Sequence, residues 1–181
     1  AYRLDPEDAD TAEGLSELYL SQGQFEKAKS PSQDATRLNP QSSRAWSTLS
    51  ASCLATGQLA DARQAAESAT KYGPEDPRAW VQLAASLNAA HDFADAVAAS
   101  ETATQLAPTE SRAWLNLATA YAGLDRYAEA LPHAERATQL EPKNRASWSL
   151  LAALYRELDQ PDNASAASAQ LQSLDASAAG R

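Results

Sequence analysis

The sequence predicts an all-α chain of five helix–turn–helix repeats, each 34 residues long, stacked as an α-solenoid. Two observations carry this. The composition is rich in alanine, has no isoleucine and offers only Val81 and Val97 as valines, which suits helices and deprives sheets of β-branched residues. The second is a period: Trp46, Trp80, Trp114 and Trp148 recur every 34 residues, as do Pro6, Pro40, Pro74, Pro108 and Pro142. Ala28, Ala62, Ala96, Ala130 and Ala164 keep the same register, and so do Leu15, Leu49, Leu83, Leu117 and Leu151. A fixed period of this size marks stacked two-helix units.

The repeats are placed at 9–42, 43–76, 77–110, 111–144 and 145–176. Each opens with a helix whose inward stripe follows offsets of three, four and seven, as in Trp46, Leu49, Ser50 and Cys53, or Trp114, Leu117, Ala118 and Tyr121. Asp8, Ser42, Asp76 and Asn144 are good N-cap types, and Pro77 suits a first helical position. Glu110 is the weakest cap, and Ser111 beside it is an alternative. The first helix stops at Gly23, Gly57, His91, Asp125 and Asp159, residue types that tolerate the positive φ of a left-handed terminator. A second helix starts near Phe25, Leu59, Phe93, Tyr127 and Pro161 and runs to Leu38, Tyr72, Leu106, Leu140 and Leu174. Pro31 and Pro132 fall inside it and are expected to kink it or remove a hydrogen bond.

Packing follows from small columns. Ser16, Ser50, Ala84, Ala118 and Ala152 should face the alanine column of the second helix and let the axes approach to the short end of the ~8–10 Å range. Each tryptophan is expected as a large knob between neighbouring repeats. Residues 1–8 match the closing turn of a second helix and read as the tail of a preceding repeat in a longer protein. Residues 177–181 read as a frayed tail. With no further helix to cover the fifth repeat, Leu154, Leu158, Leu171 and Leu174 are expected to be partly uncovered.

The same columns resemble the tetratricopeptide repeat (TPR) family. The Trp-x-x-Leu-Ser/Ala opening, the later Tyr or Cys, the alanine columns and the closing proline all match its pattern, over residues 9–176. Departures are Ala12 in place of the first tryptophan, and Ser32, Ala66, Ser100, Ala134 and Ser168 where the family usually carries an aromatic. The resemblance implies a right-handed superhelix with a concave groove that holds extended peptides or partner helices.

Composition bounds the chemistry. A net charge of −9 argues against a nucleic-acid grip. No apolar run approaches the ~20 residues of a membrane span, so the chain is placed in the cytoplasm, the periplasm left open. Alanine richness and Arg over Lys point to a GC-rich bacterial source. One cysteine rules out an internal disulfide. Cys53 sits in the inward stripe, His91 fits a helix-ending turn, and His133 an exposed helix position. No catalytic set, metal site or cofactor is expected.

A groove face is read instead, opposite the structural stripe. It carries Glu13 and Glu17 with Asp10 in the first repeat, Arg44, Ser47 and Thr48 in the second, Arg78, Gln82 and Asn88 in the third, and Arg112, Asn116 and Thr119 in the fourth. Charge should grade from negative to positive along it, with Arg44, Arg78 and Arg112 forming a ladder at roughly 10 Å steps. A cation in the first helical turn opposes the helix dipole. It therefore calls for either intramolecular pairing with Glu75, Asp76 or Glu110, or an acidic ligand. The chaperone-tail clamp of some TPR modules is not reproduced, because Glu13, Glu17 and Thr48 stand where it needs Lys and Asn. An asparagine ladder is only partial, with Gln82 and Asn116 interrupted by Gly14, Thr48 and Leu150. The expected function is a non-catalytic scaffold for a protein or peptide, with an acidic segment as one candidate. Two alternatives stand beside it: the recognition domain of a larger glycosyl- or sulfotransferase, and a self-assembling module acting through its end repeats.

Overall fold

In a computed structural model, residues 8–179 are described. They form ten helices: α1 (Ala9–Ser21), α2 (Phe25–Leu38), α3 (Ser43–Ala55), α4 (Leu59–Tyr72), α5 (Pro77–Ala89), α6 (Phe93–Leu106), α7 (Ser111–Gly123), α8 (Tyr127–Leu140), α9 (Arg145–Glu157) and α10 (Pro161–Ala179). No strand occurs among the described residues. Every second helix begins at its expected residue, and α2, α4, α6 and α8 end where the period places their ends. α10 differs, running past Leu174 to Ala179. Pro31 and Pro132 lie inside α2 and α8 without ending either helix.

Local chemistry explains the boundaries. Asp8, Ser42, Asp76 and Asn144 each accept a backbone N–H from the first turn of the helix they precede, satisfying donors the helix itself cannot. Glu110 does the same for the Arg112 amide, and Ser111 lies within α7, donating its hydroxyl to the Ala137 carbonyl at 3.2 Å. The longer carboxylate of Glu110 thus caps after all. The terminators Gly23, Gly57, His91, Asp125 and Asp159 all have positive φ, between 55° and 75°. At Gly23, Gly57, Asp125 and Asp159 a paired closure follows. Gln24 N–H reaches the Tyr19 carbonyl at 2.8 Å while Gly23 N–H reaches Leu20 at 3.0 Å, and the turns at Gly57, Asp125 and Asp159 repeat it. This is the Schellman arrangement, which a left-handed residue makes geometrically accessible.

The fold divides into two compact units, Ala1–Ala90 and His91–Arg181, with the division between α5 and α6. In the first unit, successive helices pack in order from α1 to α5, and α1, α3 and α5 also lie side by side. The second unit repeats the scheme from α6 to α10, with α7 beside α9.

The core is made of small residues. Ala28, Ala62, Ala96 and Ala130 have no exposed surface, and neither do Ser16, Ser50, Ala84 and Ala118. The Ser50 hydroxyl donates to the Ala62 carbonyl at 2.8 Å, so in that pair the two columns meet directly. Leu154 is buried, against expectation, in an apolar cluster with Ala134, Leu151 and Ala167. Leu158, Leu171 and Leu174 are half-buried.

The tryptophans are half-buried rather than seated as enclosed knobs. Each indole N–H donates to the carbonyl of the proline six residues earlier: Trp46 to Pro40, Trp80 to Pro74, Trp114 to Pro108 and Trp148 to Pro142, all at 2.8–2.9 Å. A partly exposed edge lets the polar N–H find an acceptor while the ring covers apolar surface.

Candidate functional site

The face shared by α1, α3 and α5 carries an ion-pair cluster. Arg44 opens α3 with Nε 2.7 Å from Glu13 and 2.8 Å from Glu17, while its Nη2 also meets the Glu17 carboxylate. Glu13 further accepts the Ser42 hydroxyl at 3.1 Å. Arg78 opens α5 with Nη1 3.8 Å from Glu17 and Nε 3.6 Å from its own cap, Asp76. The fork of Arg44 matches a carboxylate in two places, the geometry in which guanidinium pairing is strongest. Its hydrogen bond holds the Glu17 carboxyl below the ordinary value, and Glu17 in turn raises Arg44.

Pairing therefore differs from the sequence expectation. Arg44 is matched by Glu13 and Glu17 of the preceding first helix, not by the turn before it. Only Arg78 approaches its turn carboxylate. The expected gradient from negative to positive is replaced in this unit by a cluster in which Glu13, Glu17 and Asp76 offset Arg44 and Arg78. Shifting Arg44 back one period places it at Asp10, three and seven residues before Glu13 and Glu17 on the same helical face. That offset was the available signal.

The rest of the face is more closed than expected. Ser47, Thr48, Val81 and Gln82 are buried, because the adjoining first helices cover them. Thr48 donates its hydroxyl to the Arg44 carbonyl at 2.8 Å. Gln82 is 6% exposed, and its Oε1 has no donor among the described residues. Asn88, near the end of α5, is half-buried. What stays accessible in this unit is Arg78, with 59% of its side chain exposed, beside the half-exposed Arg44.

In the second unit, Arg112 at the start of α7 is exposed, and its guanidinium has no carboxylate within 4 Å among the described residues. Asn116 and Thr119 are half-buried on the same helix, Thr119 donating to the Leu115 carbonyl at 2.8 Å. A separate feature of this unit is absent from the sequence pattern. His133 is not an exposed helix residue. It stacks between Trp114 and Tyr121, with 5.6 Å between ring centroids on each side and interplanar angles of 24° and 16°. Arg126 lies over the Tyr121 ring at 4.7 Å, and the Tyr121 hydroxyl donates to Glu101. Burial lowers the His133 pKa, opposed by Glu101 and Glu129.

Cys53 is buried, and burial pushes its thiol up. His91 takes the left-handed turn position and meets Phe93 edge-on at 5.4 Å. No group of three or more His, Cys, Asp or Glu among the described residues is placed to hold a metal ion. No described helix is long and apolar enough to cross a membrane.

Comparison with known proteins agrees with this architecture. Models described as Tetratricopeptide repeat match residues 14–66, 52–111 and 111–144. The chain belongs to the tetratricopeptide repeat family. Among solved structures, this TPR chain is similar to TTC0263, a thermophilic TPR protein in Thermus thermophilus, with a TM-score of 0.80 and 20% identity over 92% of this chain and 91% of that one. It is similar to pilF of Pseudomonas aeruginosa at TM-score 0.77 and 20% identity, covering 91% and 75% of the two chains. MamA (41-end) from Desulfovibrio magneticus RS-1 gives 0.73 and 19%, covering 96% and 97%. These identities establish a shared TPR fold. No curated protein matches the TPR chain by sequence.

Proposed function

We propose that this TPR chain is a non-catalytic interaction scaffold in which the first-helix face of each unit, taken by itself, receives an extended peptide or helix bearing acidic side chains. One observation carries the reading. Arg44 is fully matched by carboxylates, whereas Arg78 keeps most of its surface exposed at long distances from its two acids, and the Arg112 guanidinium has no carboxylate within 4 Å among the described residues. A guanidinium in that state offers a planar fork to an incoming carboxylate. Burial of Thr48 and Gln82 puts them beneath the accessible surface, so the arginines make the first contact.

The probe is a fluorescein-labelled peptide of alternating Glu and Ala, followed by anisotropy at low salt. Arg78→Glu and Arg112→Glu should each weaken binding by up to ~5-fold, as suits an exposed charge pair. The helical circular dichroism should stay unchanged. Arg44→Glu should instead lower the melting temperature, because it removes the main cation between Glu13 and Glu17 and adds a third carboxylate beside them. Equal affinity of the wild type and both exposed-site variants discards the reading.

A further inference from the structure

The fourth and fifth repeats differ at one place that matters. In the fourth, the His133 imidazole fills the space between Trp114 and Tyr121. Those two residues are seven apart on α7, and so about 10.5 Å apart along its axis. In the fifth, Trp148 and Tyr155 take the same two places on α9, while Ala167 stands where His133 would be. The remaining repeats lack one ring or the other. Cys53 and Leu87 replace the tyrosine in the second and third, and Ala12 replaces the tryptophan in the first.

The space that His133 occupies in one repeat is thus an open slot in the next. It has a volume of about 510 Å³, with Trp148 and Tyr155 as walls, the buried Leu151 and Ala167 as floor, and Glu135 and Asn163 at the rim. We propose that this slot receives the imidazole of a histidine side chain from a partner peptide, held between the two rings as His133 is held in the repeat before it.

Both walls are set in advance. The Trp148 indole N–H donates to the Pro142 carbonyl at 2.9 Å, and the Tyr155 hydroxyl donates to Glu135 at 2.8 Å. Rings already fixed cost little further ordering when a third slides between them. The rim favours imidazole over an apolar ring. Glu135 is the counterpart of Glu101, one of the two carboxylates that favour the charged form of His133, and Asn163 is the counterpart of Glu129, the other. An imidazole N–H can donate to such groups, which a phenyl edge cannot. No Lys or Arg is among the described residues that line the slot.

The opening does not depend on what adjoins α10. The slot lies between α8 and α10, against α9. Helix α8 has α9 packed on it, yet Glu129, Pro132 and Arg136, which match Asn163, Ala166 and Gln170, are exposed. A helix packed on α10 in the same way would leave the slot open.

The proposal is independent of the arginine face and is tested on the whole chain by saturation-transfer NMR. The probe is a blocked Ala-His-Ala peptide, with blocked Ala-Phe-Ala and Ala-Leu-Ala as controls. Saturation should pass to the imidazole protons of the first and far less to the side chains of the other two. Ala167→His should abolish the transfer by filling the slot from within, with helical circular dichroism retained. His133→Ala should add a second site and about double the transfer, and the double variant should bind through the fourth repeat alone. Tyr155→Leu should weaken binding by about 3- to 10-fold. Arg78→Glu and Arg112→Glu should leave it unchanged, so failure of the acidic-peptide reading and failure of this one are told apart. No transfer to the histidine peptide would overturn the proposal, as would equal transfer to the phenylalanine peptide. Binding indifferent to both Ala167→His and Tyr155→Leu would overturn it as well.

Discussion

At the residue scale, two glycines on equivalent kinds of helix have opposite reasons to exist. A Cβ on Gly14 of α1 would meet nothing within 4 Å, whereas one on Gly123 of α7 would lie 2.5 Å from the Phe93 ring. Gly14→Ala should therefore stabilise the fold by about 1 kcal/mol through helix propensity. Gly123→Ala should destabilise it by about 1–3 kcal/mol through overpacking. Urea midpoints of the two variants should move in opposite directions. His133 gives a second residue-level outcome. Its pKa is lowered by burial in the stack, so the folded state resists protonation. The stability this represents is fully present above imidazole's ordinary value of 6.5 and is lost as pH falls through the lowered value. Melting temperatures measured from pH 7.5 to 5 should fall in the wild type, and His133→Gln should flatten that slope. The stack was not legible in the sequence, because helical periodicity alone does not report which ring from α7 leans across to α8.

At the scale of elements, legibility was high. Helix starts followed from the N-caps Asp8, Ser42, Asp76 and Asn144, and the stops of the first helices from the five terminators with positive φ. Glu110 was underrated because capping preference favours short side chains, yet a longer carboxylate can reach the same amide. The tryptophan and proline columns were each visible as sequence markers. That the two are one device, an indole N–H on the carbonyl before it, became apparent only in three dimensions. Trp80→Phe keeps most of the ring's apolar contact and deletes the donor. It should lower stability by about 0.5–1.5 kcal/mol, read from the urea midpoint. Trp80→Ala should cost more, up to about 3–5 kcal/mol.

At the scale of the whole molecule, a repeat array draws its stability from nearest neighbours, so elements with one neighbour fewer open first. Hydrogen exchange should accordingly be fastest in α1 and α10 and slowest in the helices bounded on both sides, such as α3 and α8. The candidate face was legible in outline but not in its electrostatics. Within the first unit, Glu13, Glu17, Arg44 and Arg78 come within pairing distance across α1, α3 and α5. Pairing between Arg44 and Glu17, 27 positions apart, depends on how α3 is set against α1, which local pattern does not fix. Depth was also hidden: Thr48 and Gln82 are buried, and helical periodicity does not report how far adjoining helices close over a face.

The four indole-to-proline bonds have a practical corollary. Each ties the end of one two-helix module to the start of the next, and each places a single exchangeable proton at a separate junction along the array. In a proton–nitrogen NMR spectrum these four signals fall in their own uncrowded region. The protein thus comes with a built-in gauge at four of its seams, each going silent when its own junction melts.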